Sequence, residues 1–184
     1  PAKFTTEDGF RLGTWCSNKR TTYKNGRLTP DRIDALNALG FIWDPIEDDY
    51  QRGLSYLKMY KAAHGDCRVP DRFGTEDGFR LGIWVRERRK NYKKEQLTPD
   101  RINTLNALGL IWDQVEHDYQ GALGYLKAYK AEHGDCSVPQ RFKTEDGFRL
   151  GIWVASRRRE YKEEQLTPDR INTLNALGFI WSLK

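Results

Sequence analysis

Apolar residues recur along this chain at steps of three and four, and they do so in matching order in successive stretches. Ile46, Tyr50, Leu54, Leu57 and Tyr60 mark one helical face, and Val115, Tyr119, Leu123, Leu126 and Tyr129 mark the same face 69 residues later. Asp44 ahead of Pro45, with Glu47 three residues after it, is close to a capping box. Gly65 supplies a stop. An opening helix is therefore expected over 45–64. A loop, His64-Gly65-Asp66-Cys67-Arg68-Val69-Pro70, leads to a middle helix capped by Asp77 or Thr75, with its apolar line at Leu81, Trp84, Val85 and Tyr92. A closing helix starts at Leu97-Thr98-Pro99-Asp100, where Thr is the cap and Asp lies at the positive end of the dipole. It carries the stripe Ile102, Leu105, Leu108 and ends at Gly109. No segment reads as a strand, so the fold class is all-α.

The step of 69 residues organises the whole chain. Gly9-Phe10-Arg11-Leu12-Gly13 returns at Gly78 and again at Gly147; Trp15, Trp84 and Trp153 hold one register, and Trp43, Trp112 and Trp181 a second. A strict long period means a tandem array of one supersecondary unit. Residues 44–112 and 113–181 are complete three-helix repeats, whereas 1–43 is a partial repeat holding only the middle and closing helices. Pro1 aligns with Pro70 and Pro139, so a missing opening segment is expected upstream; the pattern stops after Trp181, which suits a natural C-terminus. Trp112-Asp113 joins two repeats without a Gly/Ser linker, which predicts restricted orientations.

Charge changes this picture locally. The net charge of +5 is modest. It is distributed as +3 over 1–43, +2 over 44–112 and −1 over 113–181, with Lys184 supplying the remaining +1. In the middle helix of the second repeat, Arg86, Arg89, Lys90 and Lys93 form one stripe beside the apolar face. The third repeat keeps Arg158, Arg159 and Lys162 there, with Ala155 in place of the first cation; the first repeat keeps Arg20 and Lys24. Arg and Lys along one helix can follow a polyanion and release its counterions. Arg88, Arg157 and Lys19 fall between the aromatic positions and read as long stems laid over rings. The closing helix offers Arg101 with Asn103, and Arg170 with Asn172, as candidate readers of base edges. Asp34 replaces that Asn in the first repeat, so the three copies do not read bases alike.

Other chemistry is excluded or weak. No Gly-x-x-x-x-Gly-Lys-Ser/Thr loop occurs, so no phosphate-loop ATPase lies in these residues. His64 with Cys67, and His133 with Cys136, give one pair per repeat where a tetrahedral zinc site takes four ligands. Cys67 reads instead as a packed small residue and His64 as a helix-end cation. Three unpaired cysteines suit a reducing compartment, and no apolar run is long enough to span a bilayer. No metal, cofactor, small-molecule substrate or catalytic group is expected.

The strings His-Gly-Asp-Cys-(Arg/Ser)-Val-Pro, Leu-Gly-x-Trp-Val-x-x-x-Arg, Tyr-Lys, Leu-Thr-Pro-Asp-Arg-Ile and Leu-Gly-Phe-Ile-Trp occur in order, and the chain resembles the helicase-associated domain over essentially its full length. That domain is a small three-helix repeat appended, often in tandem, to bacterial superfamily-two helicases. The resemblance implies a nucleic-acid-binding accessory role and a likeness to Myb-type three-helix folds. The family's recurrent Trp and Arg correspond to Trp84 with Arg89, Trp153 with Arg158 and Trp15 with Arg20. Where the family often has Gln before that Arg, this chain has Arg88, Arg157 and Lys19.

The expectation is a cytoplasmic array that binds nucleic acid, DNA in preference to RNA, mainly through phosphates, with a helicase motor in the same polypeptide. The middle repeat, with the most basic stripe, is expected to bind most strongly. The competing class is a protein-interaction scaffold presenting Asp48, Asp49, Asp118 and the Thr-Glu-Asp turns to a basic partner.

Overall fold

The computed structural model describes residues 3–182, which form eight helices and no strand. The first repeat holds α1 (Leu12–Lys24) and α2 (Pro30–Ala38). The second holds α3 (Pro45–His64), α4 (Leu81–Lys93) and α5 (Pro99–Ala107); the third holds α6 (Gln114–His133), α7 (Leu150–Lys162) and α8 (Pro168–Ala176). The chain divides into two compact units, Pro1–Leu110 and Ile111–Lys184.

The long helices start and stop where local chemistry dictates. Asp44 accepts from the Ile46 and Glu47 amides, each at 3.0 Å, and Asp113 accepts from the Glu116 amide at 3.1 Å. At the far ends Gly65 and Gly134 adopt φ of 86° and 90°, a left-handed turn that a side chain disfavours. The closing helices start after Thr29, Thr98 and Thr167; only the Thr167 hydroxyl makes a capping bond, and Pro at the next position fixes the first turn of all three.

The middle helices start differently from the sequence expectation. Thr75 and Asp77 cap no helix. The Thr75 hydroxyl accepts from the Phe79 amide at 3.0 Å, and Asp77 accepts from the Thr75 hydroxyl, which closes a tight turn at Phe79. α4 begins only at Leu81, after Arg80, with no side-chain cap. Its first turn is fixed instead by close approach of two backbones. A Cβ on Gly82 would lie 2.1 Å from the Pro70 carbonyl oxygen, and one on Gly151 would lie 2.1 Å from that of Pro139.

The second and third repeats bury matching apolar residues. In the second, Tyr50, Leu54 and Leu57 of α3 and Leu81, Trp84 and Val85 of α4 are buried, together with Cys67, Val69, Leu97 and Leu105. The third repeats this with Tyr119, Leu123, Leu126, Leu150, Val154 and Leu174. Each such aliphatic side chain contributes about 1.5–3 kcal/mol on removal from water. Ile46 and Val115 are exceptions to the expected apolar face, being 71% and 70% exposed. The buried face starts one turn later, because polar anchors rather than apolar contacts hold the first turn. Tyr92 is likewise more exposed than its place in the apolar line predicts. Cys16 is only half buried, whereas its counterparts Val85 and Val154 are buried.

Candidate nucleic-acid interface

The cations of the middle helices separate into two kinds. The first kind lies against the protein. Arg20 donates from Nε to the Ile42 carbonyl at 2.8 Å and sits over the Phe41 ring. Arg158 donates in the same way to Ile180 at 2.7 Å and sits over Phe179. These residues pin the middle helix to the segment after the closing helix. Arg89 is at the same register and half buried, and burial lowers its pKa, as it does that of Arg158. Arg88, Arg157 and Lys19 lie over Trp84, Trp153 and Trp15 with 5.1, 5.3 and 5.3 Å to the ring centres. Their stems cover the rings as their spacing suggests.

The second kind faces solvent: Lys24 on α1, Arg86, Lys90 and Lys93 on α4, and Arg159 and Lys162 on α7. Arg86 stands 3.6 Å from Asp71 and Lys90 stands 3.5 Å from Glu87, all with side chains at least two-fifths exposed. Exposed pairs of this sort contribute roughly 0–1 kcal/mol, so a phosphate can replace the carboxylate at little cost. Among the described residues no carboxylate pairs with Arg159 or Lys162.

The closing helices present fewer open groups than their sequence offered. Arg101 bonds Glu47 at 2.7 Å and lies 4.3 Å over the Tyr50 ring; Arg170 bonds Glu116 at 3.1 Å and lies 4.3 Å over Tyr119. Both guanidiniums thus tie a closing helix to an opening one. The Glu47 carboxyl is held below its usual range by Gln51 first and then by Arg101; Gln120 and Arg170 do the same for Glu116. Asn103 and Asn172 are exposed. The neighbouring Asn175 is occupied, accepting from the Trp181 indole at 2.8 Å, and Asn37 accepts from Trp43 at 2.8 Å. Sequence reasoning missed these Glu–Arg ties. Their signal was an acid and a base at one fixed separation, Glu47 with Arg101 and Glu116 with Arg170.

Cys67 and Cys136 are buried, donate to the Leu108 and Leu177 carbonyls, and have thiol pKa values pushed up by burial. His64 and His133 stack on Tyr60 and Tyr129 at 4.1 and 4.0 Å. Among the described residues no three His, Cys, Asp or Glu side chains are grouped to hold a metal ion. None of the described helices is long and apolar enough to cross a membrane.

An all-helical tandem repeat, with half-buried Arg side chains laid against aromatic rings and further cations facing solvent, is the class of protein that this geometry defines. A model of the helicase-associated domain matches the chain three times, over residues 1–44, 47–113 and 116–182, and the chain belongs to that family. No curated protein and no solved structure matches the chain.

Proposed function

We propose that this chain is a nucleic-acid-binding accessory array that grips the phosphate backbone through its middle helices, within a cytoplasmic polypeptide that also carries a helicase motor. The observation carrying this reading is that solvent-facing cations recur on the middle helix of each repeat: Lys24; Arg86, Lys90 and Lys93; Arg159 and Lys162. Arg20, Arg89 and Arg158 position that helix rather than lead the contact. Asn103 and Asn172, exposed on the closing helices, favour DNA over RNA. Their amides match adenine in an open major groove, which A-form RNA narrows and deepens.

The test is a fluorescence titration of the full chain with duplex and single-stranded oligonucleotides across a salt series. Replacing Arg86, Lys90 and Lys93 together by Ala weakens binding to all sequences and flattens the salt slope by about one unit for each phosphate no longer neutralised. Unchanged affinity with unchanged unfolding overturns the assignment to α4.

The alternative reading, a protein-interaction scaffold, has one observation of its own. A hollow of about 690 Å³ on the second repeat is lined by Tyr56, Met59, Tyr60, Phe73, Glu76 and Asp77 among others, with Met59 63% exposed. Its acids and rings suit a basic peptide better than a nucleic acid. Absence of nucleic-acid binding at low salt favours this reading.

A further inference from the structure

The third repeat is the least basic by count, yet the cations of its middle helix lack the carboxylate neighbours found in the second. A hollow of about 370 Å³ beside α7 is lined by Gln140, Gly151, Ala155, Arg158, Arg159 and Lys162, with no carboxylate among them. Positions 155, 158, 159 and 162 share one helical face at steps of three and four. The close approach of Gly151 to the Pro139 and Gln140 carbonyls brings the loop against the first turn of the same helix. A second hollow, of about 520 Å³, shares Gln140 and adds Arg141, Lys143 and Arg149, again with no acid.

Arg158 is fixed by its Nε bond to Ile180, while its buried Nη2 makes no hydrogen bond within the protein. Arg158 therefore contributes a fixed positive charge to the wall of the hollow rather than an open donor. The second repeat differs at three of the six lining positions, and one of them, Lys90 for Arg159, keeps the charge. Asp71 stands where the third has Gln140, and Arg86 stands where it has Ala155. Those two side chains face each other at 3.6 Å. A carboxylate at that edge repels an incoming anion, and the larger Arg fills the place that Ala155 leaves open. Gln140 brings an amide donor and no charge.

We propose that the hollow beside α7 is a seat for a single phosphate group, supplied by a nucleic-acid backbone, and that Gln140 and Ala155 make the third repeat its preferred place. The proposal rests on the nucleic-acid reading above and sharpens it to one site. Arg159 and Lys162 supply solvent-facing charge, Arg158 holds a fixed charge in the wall, and the Gln140 amide closes the edge.

The test uses the full chain in two titrations: a fluorescent DNA duplex followed by anisotropy, and inorganic phosphate followed by amide NMR against chloride at equal ionic strength. Arg159→Ala with Lys162→Ala lowers duplex affinity about tenfold at moderate salt and reduces the salt slope by about two. Gln140→Asp, an exposed loop change, weakens the duplex several-fold, whereas Asp71→Gln strengthens it. Phosphate shifts the Gln140 side-chain amide and the Gly151 and Ala155 amides, and Gln140→Asp abolishes those shifts. Duplex binding that ignores both third-repeat variants overturns the seat while leaving the nucleic-acid reading intact. Phosphate shifts at Gln140 without binding of duplex or single-stranded oligonucleotides leave an anion seat but overturn both its nucleic-acid supply and that reading. Neither response overturns both.

Discussion

The second and third repeats are near copies: 35 of 43 positions match between 70–112 and 139–181. They nevertheless use their few differences to opposite electrostatic ends. In the second, Arg52 pairs with Asp77 at 2.7 Å and Arg86 faces Asp71, so the extra cations are partly neutralised. In the third, Gly121 and Ala155 stand at those cation positions and Gln140 replaces Asp71. Its remaining acid on α7, Glu160, is spent on Arg157 at 2.5 Å, against the Trp153 side. A repeat with a net charge of −1 thus keeps Arg159 and Lys162 without a carboxylate, while one of +2 pairs several of its bases. Net charge per repeat is therefore a poor guide to charge available for a ligand; the partner of each base decides it.

What the two repeats share is steric, and breaking it has the largest effect. Gly82→Ala and Gly151→Ala place a methyl about 2.1 Å from a proline carbonyl and 2.5 Å from the next one, and backbone cannot swing aside as a side chain can. Each substitution is expected to destabilise its own unit by about 3 kcal/mol, read by urea unfolding with hydrogen exchange assigned to each unit. Destabilisation by only one of the two variants breaks the equivalence of the repeats.

A smaller effect tests where they diverge in packing. Gly53 lies against the Trp84 indole, where a Cβ would approach to 2.1 Å, and the matching residue in the third repeat is Ala122. Trp84 is 5% exposed with its indole N–H buried and unbonded, whereas Trp153 is only half buried. The methyl of Ala122 accounts for that difference. Gly53→Ala is expected to push Trp84 outward at a net cost of about 1–2 kcal/mol, the overpacking offset in part by better helix propensity. Ala122→Gly lets Trp153 sink. Indole N–H exchange by NMR reads both shifts, and an unmoved Trp84 in Gly53→Ala refutes the account.

These contrasts mark how far the sequence could be read. The helices and most of the core followed from spacing, because Leu54, Leu57, Leu81 and Leu105 obey a periodicity that burial imposes. The Trp–Arg framework was legible as recurrence, but its purpose was not. A stripe of Arg and Lys looks uniform on a helical wheel, and only coordinates separate Arg158, bonded to a carbonyl, from Arg159, which faces solvent. Arg101 and Arg170 looked open because their partners lie 54 residues back, on another helix. The loop residue Gln140 drew no attention, since its importance is the absence of a charge present in its sister repeat.

The finest test of the comparison is a pair of titrations. Asp77 accepts from Thr75, Tyr56, Arg52 and the Phe79 amide, which together hold its carboxyl well below the usual range, the Thr75 hydroxyl contributing most. Asp146 has Thr144, Tyr125 and the Phe148 amide but no cation, because Gly121 replaces Arg52. Both folded-state values lie below the unfolded ones. Each carboxylate therefore stabilises its unit above the ordinary Asp range, and that stability is lost as pH falls through the depressed value. Asp77 should hold its charge to lower pH than Asp146 in carbonyl-detected NMR of the full chain. Arg52→Gln should bring the two curves together, and Gly121→Arg should draw Asp146 downward. The pair's side chains are 50% and 45% exposed, so solvent and salt screen the attraction and the expected separation is small. Coincident curves in the unaltered chain mean that the Thr and Tyr hydroxyls alone set both carboxyls. The Arg52–Asp77 pair would then be a surface contact without energetic weight, and the electrostatic divergence of the repeats would reduce to the edge formed by residues 71 and 140.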